Sequence, residues 1–206
     1  MKKLAALAIA LFVAGSLNAA PVVPVNTGVD LVGTIDQVWD VNGGNGWVDA
    51  EAYDNVGGLW IPDSAESLWI SLPGLPRSDN KNQPLPGDGA DMLFRQVFPA
   101  VPTNNLIFVR WAFDDTLVEA TVNGIQIVGP IPSGPANWST WSAWTQIPQM
   151  YLNTGSPNEI TFEVQNLTDV AGGFRAEFYA VPEPGTYALV GLGLIGLALI
   201  RRRRRA

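Results

Sequence analysis

Residues 117–128 read LVEATVNGIQIV, and this stretch decides the fold class. Two apolar-rich segments, 118–122 and 125–128, flank the dipeptide Asn123-Gly124. A type I′ turn needs a positive φ at both central residues, and Asn-Gly is among the dipeptides that best supply it. The stretch therefore predicts a tight antiparallel β-hairpin.

Segments of strand character continue on both sides of this hairpin. Residues 160–165 and 174–180 alternate apolar side chains with more polar ones, as half-buried strands do. Residues 106–113 are apolar except for Arg110, which predicts a buried strand. Further strands are predicted at 38–41, 47–52, 67–72 and 92–98, and loops at 42–46, 73–91 and 129–135. No long helical period is present, so the fold class is all-β, an antiparallel β-sandwich.

Composition excludes several classes of chemistry. The 206 residues contain no cysteine and no histidine, which removes disulfides, Cys/His zinc sites and histidine-dependent catalytic triads. Between Asp30 and Glu177 there are five basic and 18 acidic residues, so this part has a formal net charge of −13. Such a surface repels phosphate backbones, and we expect no nucleic-acid partner.

The N-terminus has the pattern of a secretory signal. Lys2-Lys3 is followed by the apolar run 4–13, and small residues follow at Ala19-Ala20. This order is typical of a signal peptide, here predicted over residues 1–20. The Sec pathway is the expected export route.

The C-terminus combines a short motif, an apolar segment and a basic cluster. Val181-Pro182-Glu183-Pro184 precedes an uncharged stretch that ends at Ile200, and five arginines follow. These are Arg201, Arg202, Arg203, Arg204 and Arg205, a predicted stop-transfer block on the cytoplasmic side. Residues 187–200 are 14 in number, fewer than the roughly 20 of a usual spanning helix. A short transmembrane helix of this kind favours a transient anchor.

This C-terminal pattern, over residues 181–206, resembles the PEP-CTERM sorting signal. The resemblance implies an exosortase-type transpeptidase as partner, which recognises Pro182-Glu183-Pro184 and removes the tail. The protein is then expected at the cell surface or in the extracellular matrix of a Gram-negative, exopolysaccharide-producing bacterium, after transient anchoring in the inner membrane.

Residues 21–180 are predicted to form the β-sandwich domain, and about residues 31–180 of it resemble the galactose-binding-like jelly-roll domain. The resemblance is carried by short motifs in order: Asp36 to Trp39, Trp60, Ser67-Leu68-Trp69-Ile70, Phe94 to Phe98, Asp114-Asp115, Val122-Asn123-Gly124 and Gly155 to Phe162. The family pattern has a Gly-x-Asn-x-Leu step here, and the corresponding step from Gly155 to Ile160 is longer. The resemblance implies a jelly-roll sandwich.

Three tryptophans at intervals of three residues are the candidate ligand-binding residues. They are Trp138, Trp141 and Trp144, separated by small and polar side chains. In an extended chain Trp138 and Trp144 share a face and Trp141 points away, so at least one indole is expected at the surface. An exposed indole suits stacking on the apolar face of a sugar, and packing at the edge of the sandwich is the alternative.

Acidic residues offer a second candidate chemistry. Asp114-Asp115 fits either a calcium site or an ordinary turn. Arg110 is expected to pair with Asp114, Asp115 or Glu119, and a role as polar anchor for a ligand is the alternative. Asp79, Asp88 and Asp91 lack the spacing of a calcium-binding loop. The sequence therefore predicts no metal site, no cofactor and no catalytic residue.

The expected function is that of an exported, non-enzymatic protein associated with exopolysaccharide or biofilm, with extracellular polysaccharide as partner. A purely structural matrix component without a specific ligand is the first alternative. A small glycan-acting enzyme is the second.

Overall fold

A computed structural model describes residues 23–29, 32–53, 60–73, 90–103, 105–166 and 172–182, together with 193, 194 and 201. Of the predicted segments, the signal peptide and most of the C-terminal tail lie outside these residues, as do residues 74–89 of the predicted loop 73–91. Residues 193, 194 and 201 are helical. Within the described part of the chain, no helix is long and apolar enough to cross a membrane.

Up to residue 182, the described part of the chain forms ten β-strands and two short helices. The helices are α1 (Pro135–Ser139) and the single-turn 3₁₀ helix η1 (Gln149–Tyr151). The strands are β1 (Ile35–Asn42), β2 (Val48–Tyr53), β3 (Trp69–Ser71), β4 (Ala90–Phe98), β5 (Asn105–Asp114), β6 (Thr116–Val122), β7 (Ile125–Val128), β8 (Thr145–Ile147), β9 (Asn158–Asn166) and β10 (Gly173–Pro182).

All strand pairs are antiparallel and follow one another in the order β7-β6-β9-β4-β1-β2-β3-β10-β5-β8. This continuous ladder folds over at β1 and β2, where the register shifts between Asp36 and Asp40. A register shift bends and twists a strand, so the two halves of the ladder can face each other. The first half contains β9 and β4, and the second contains β10 and β5.

Aromatic side chains join the two halves in the interior. Phe162 of β9 lies 4.5 Å from Phe174 of β10, and Phe94 of β4 lies 5.1 Å from Phe174, measured between ring centroids. Trp39 of β1 contacts both halves, with its ring 6.3 Å from Phe162 and 5.8 Å from Phe174. All four rings are fully buried. The predicted antiparallel β-sandwich is confirmed.

The predicted hairpin is also confirmed. Ile125 lies opposite Val122, and the turn residues Asn123 and Gly124 have φ values of 51° and 75°. The Asn123 side chain supports the turn, since its amide nitrogen donates to the Tyr151 carbonyl at 2.7 Å. The turn is therefore fixed both by its dipeptide and by a contact with η1.

Two local features differ from the prediction. Residues 138–144 are not extended throughout, because Trp138 lies in α1, which begins at Pro135. Proline is favoured in the first turn of a helix since its missing N–H has no helical partner there. Strand β8 was not predicted, because its three residues carry too little pattern to identify from sequence.

We expect Gly124→Ala to destabilise the protein by about 1–2 kcal/mol, because alanine resists the left-handed conformation that this turn requires. No atom lies within 4 Å of an added Cβ at Gly124, so steric contact contributes nothing. Urea unfolding of the full-length protein in detergent, followed by tryptophan fluorescence, measures the change. Gly155→Ala is the matched control, since it also meets open space but its φ lies outside the left-handed region. Equal effects of the two substitutions would contradict this assignment.

Candidate functional site

Charged and aromatic side chains that do not belong to the central core lie together on the outer face of β5 and β10. The register sets Arg110 opposite Glu177, Ala112 opposite Arg175, and Phe108 opposite Tyr179. Because side chains alternate across a strand, these residues point away from the interior, where Phe174 and Phe178 pack. The face forms a row from Asp114 at one end to Phe108 and Tyr179 at the other.

Arg175 is the buried centre of this row. Its guanidinium donates to the Pro62 carbonyl at 2.9 Å and to the hydroxyl oxygens of Ser64 and Ser67 at 2.9 and 2.8 Å. Burial lowers the pKa of Arg175, and the negative charge of Glu177 opposes that change. A fully buried guanidinium is tolerated because each of its nitrogens has an acceptor.

Glu177 links the buried arginine to the surface. Its carboxylate accepts hydrogen bonds from the Ser67 hydroxyl at 2.7 Å and from Arg110 Nε at 2.9 Å. Burial raises the pKa of Glu177, but the hydrogen bonds from Ser67 and Arg110 outweigh it, so the pKa lies below its ordinary value. The partner of Arg110 is thus Glu177, on the neighbouring strand, and not the expected Asp114, Asp115 or Glu119.

Four indoles, which we call the covering cluster, pack over the end of the face near Asp114, here called the lower end. Trp60 and Trp69 lie 4.3 Å apart between ring centroids, and Trp138 and Trp141 pack against them with Ile61 and Ala112. The Trp141 ring centroid lies 4.8 Å from the Arg175 guanidinium carbon and 4.5 Å from that of Arg110. Two of the three tryptophans proposed for ligand contact therefore pack within the protein.

Two serine contacts explain why the segment that carries these indoles lies against β5. The Ser142 amide donates to the Trp111 carbonyl, and the Ser142 hydroxyl oxygen accepts from the Trp111 amide, both at 2.9 Å. The chain then enters β8, whose Thr145 lies opposite Val109. By this register Trp144 lies beside Arg110.

Trp144, Tyr179 and Phe108 form an exposed aromatic platform at the upper end of the face. Phe108 stacks on Tyr179 at 4.8 Å with an interplanar angle of 6°, and Trp144 meets Tyr179 edge-on at 4.6 Å. Trp144 is 39% exposed and Tyr179 38%. The Arg110 guanidinium carbon lies 4.7 Å from the Trp144 ring centroid, so a charged donor borders the platform.

The lower end of the face contains the paired carboxyls Asp114 and Asp115. Trp60 Nε1 donates to the Asp114 carboxyl at 3.0 Å. Burial raises the pKa of Asp114 to about 8, and both a hydrogen bond with Asp115 and the charge of Asp115 act in the same direction. Asp114 is therefore protonated below about pH 8.

The described residues contain no cluster of side chains that could bind a metal ion. That part of the chain contains no group of three or more acidic side chains close enough to hold an ion. Asp91 lies in β4, where its carboxylate accepts a hydrogen bond from Gln165 at 3.2 Å, whereas Asp79 and Asp88 lie outside the described residues.

Sequence reasoning missed Phe108, Tyr179 and the Arg110–Glu177 pair as members of one site. Only the alternation of residues 174–180 gave a signal, since it places Arg175, Glu177 and Tyr179 on one face. Their partners on β5 depend on a strand register that no local pattern specifies.

The C-terminal motif is now identified by comparison. Residues 180–205 match the family model of the PEP-CTERM protein-sorting motif. The chain carries a PEP-CTERM sorting signal. Val181 and Pro182 of this motif lie in β10, opposite Leu106 and Asn105, so the signal begins inside the last strand of the sandwich.

The chain is also similar to solved structures at low sequence identity, and no curated protein matches it. The structure of TmCBM61 in complex with β-1,4-galactotriose is 12% identical, covers 73% of this chain and 92% of its own, and has a TM-score of 0.45. A CBM35 from Paenibacillus barcinonensis is 11% identical, covers 72% and 96%, and has a TM-score of 0.36. The enzymatically active domain of bacteriophage CBA120 tailspike protein 4 is 16% identical, covers 70% and 20%, and has a TM-score of 0.36.

We expect the pKa of Asp114 to make the protein less stable as pH rises from about 5 to 8. The unfolded carboxyl loses its proton near its ordinary pKa of 3.8, whereas the folded one keeps it to about pH 8. Between these values the folded state binds more protons, so the free energy of unfolding falls by up to about 1.4 kcal/mol per pH unit. Asp114→Asn, which keeps an acceptor for Trp60, should remove this slope.

Urea unfolding of the full-length protein at several pH values measures the slope. Asp49→Asn is the control, because it removes one carboxylate from an exposed position on β2. A slope that persists in Asp114→Asn would show that another group is responsible.

Proposed function

We propose that this is an exported surface or extracellular-matrix protein that is processed by an exosortase and binds neutral polysaccharide at its aromatic platform. The observation that carries the binding proposal is the exposure of Trp144 and Tyr179 next to the Arg110–Glu177 pair. The sorting signal over residues 180–205 supports the proposed export and processing.

The mixture of groups at the platform favours a polyhydroxylated ligand. Aromatic rings offer apolar faces on which the C–H groups of a pyranose stack, and binding sites combine such faces with a few placed polar groups. Arg110 supplies donors at the border of the Trp144 ring, and the buried Glu177 holds it in place. A purely apolar ligand would bury these charges without new hydrogen bonds, which is costly.

The geometry also favours a site that needs little rearrangement. Arg110 is fixed by Glu177, Phe108 by Tyr179, and Trp144 by contact with both Arg110 and Tyr179. Side chains that are already immobile lose little conformational entropy on binding, and this improves affinity.

Charge favours a neutral polysaccharide over an acidic one. Residues 30–177 carry a formal net charge of −13, so an anionic chain is repelled as it approaches the domain. Repulsion of this kind extends over roughly 8–10 Å at physiological salt.

Trp138 and Trp141 have a different part in this proposal from Trp144. Their indoles are half-buried in the covering cluster, and Trp141 lies against Arg175 and Arg110. We assign them to support of the platform and assign the sugar contact to Trp144. A matrix component with no specific ligand remains the alternative, and the binding experiment below distinguishes the two.

Intact-mass measurement of the protein from cells, surface and medium tests the sorting proposal. We expect a surface or medium form that lacks residues 1–20 and the segment after Pro184. Glu183→Ala, which alters the motif and leaves the arginines unchanged, should keep the tail and stay in the membrane fraction. A surface form of the unaltered protein that retains residues 201–205 would contradict exosortase processing.

We expect Trp144→Ala to weaken binding to neutral polysaccharide about tenfold or more, because truncation removes the largest exposed ring of the platform. Affinity electrophoresis of the full-length protein in detergent, through gels that contain soluble glucans, galactans or mannans, measures binding. Met150→Ala is the matched control, since Met150 is 83% exposed and lies outside the platform.

The thermal midpoint of each variant shows whether the fold is intact. If the unaltered protein migrates identically with and without every polysaccharide, the binding proposal is wrong and the structural alternative holds. If Trp144→Ala binds as well as the unaltered protein, the site lies elsewhere.

A further inference from the structure

The outer face of β1 and β4, in the other half of the sandwich, contains a second group made of a tryptophan, an arginine and a carboxylate. The first such group is Trp144, Arg110 and Glu177. The Arg95 guanidinium carbon lies 4.1 Å from the Trp47 ring centroid. The same guanidinium donates to the Asp40 carboxylate through two nitrogens, at 2.6 and 3.1 Å. We call Trp47, Arg95 and Asp40 the Trp47 site.

Strand register builds the Trp47 site from three separate parts of the chain. Asp40 of β1 lies opposite Arg95 of β4, and both project from the outer face because Val41 and Phe94 beside them are buried. Trp47 directly precedes β2, whose Val48 lies opposite Val41, so the β1–β2 connection carries the indole over the same face.

The Trp47 site is open to solvent in the same degree as the first. Trp47 is 38% exposed, close to the 39% of Trp144. Val38 and Val97 lie two residues from Asp40 and Arg95 on the same strands, and both are exposed. By the register of β1 on β4, these two valines lie on the side of the Asp40–Arg95 pair that is away from Trp47.

The two groups share one arrangement. Each has an exposed indole, a guanidinium at 4.1–4.7 Å from its centroid, and a carboxylate that holds the guanidinium in place. Trp47, Arg95 and Asp40 correspond in this respect to Trp144, Arg110 and Glu177. No residue is shared between them, and they lie on different strands.

The two faces point in opposite directions. Phe94 of β4 and Phe174 of β10 meet in the interior at 5.1 Å, so the outward side chains of β4 and β10 leave the sandwich on opposite sides. We propose that the Trp47 site is a second binding site for neutral polysaccharide, and that one molecule bridges two polysaccharide chains. This inference rests on the proposed function, because it assigns the same ligand class to both groups.

Charge at the Trp47 site agrees with an uncharged ligand. Asp40 neutralises Arg95, and the Glu159 carboxylate lies 3.9 Å from the same guanidinium. The two carboxylates outnumber the one guanidinium, so the site repels an anionic sugar. A neutral chain keeps hydroxyl contacts with Arg95 and Asp40 without this repulsion. Two sites on one molecule also raise its avidity for a polysaccharide network.

Binding stoichiometry tests the second site. Equilibrium dialysis of the full-length protein in detergent against labelled neutral hexasaccharides (gluco-, galacto- and manno-configured) gives moles bound per mole of chain at saturation. We expect two for the unaltered protein, one for Trp47→Ala, one for Trp144→Ala and none for the double variant. Met150→Ala should keep two.

The outcomes separate this inference from the proposed function. One hexasaccharide per chain that is lost in Trp144→Ala and kept in Trp47→Ala would overturn the second site and leave the proposed function intact. No binding to any hexasaccharide by the unaltered protein would overturn both. Because dialysis counts ligands per chain, association of chains in detergent does not alter the result.

Bridging has its own readout. Polysaccharide-coated beads of the sugar that binds should aggregate with the unaltered protein and stay dispersed with either single variant. Trp47→Phe, which keeps an aromatic face, should restore part of the aggregation. Equal aggregation by unaltered protein and Trp47→Ala would contradict bridging through this site.

Discussion

The fully buried guanidinium of Arg175 is the constraint on which the outer face of β5 and β10 depends. An arginine with no exposed surface needs acceptors for its donors and a cover that excludes water. Pro62, Ser64 and Ser67 supply acceptors, and the Trp141 ring supplies part of the cover. Residues 62–67 and Trp141, from two separate segments of the chain, thus both pack on one buried charged side chain.

The same constraint prepares the proposed binding surface. Glu177 Oε1 lies 3.8 Å from Arg175 Nη2, and Glu177 Oε2 accepts a hydrogen bond from Arg110. Glu177 thus connects the position of Arg110 to that of the buried Arg175. Trp144 then packs against Arg110 and Tyr179. Aromatic rings placed through such a chain of contacts have little freedom, which distinguishes this surface from one formed by mobile loop residues.

The sequence predicts local structure well where a pattern has a single physical cause. Asn123-Gly124 gave the hairpin because two adjacent positive φ values have few other solutions, and the alternation at 160–165 gave β9. The partner of Arg110 could not be predicted, because Glu177 is 67 residues away and the register of β5 on β10 decides the pairing. Trp47 and Arg95 are separated in the same way, so the Trp47 site has no signature in the sequence.

Strand β10 continues through Val181 and Pro182, and this position has a mechanical consequence. β10 lies between β3 and β5 in the interior of the ladder, and it is paired with β5 along its whole length. When a load pulls the chain beyond Pro182 in the direction of β10, it acts along the strand axis. Antiparallel hydrogen bonds stand perpendicular to that axis. They share the load in shear and are not peeled apart one by one, so the sandwich resists extension while its C-terminus is held.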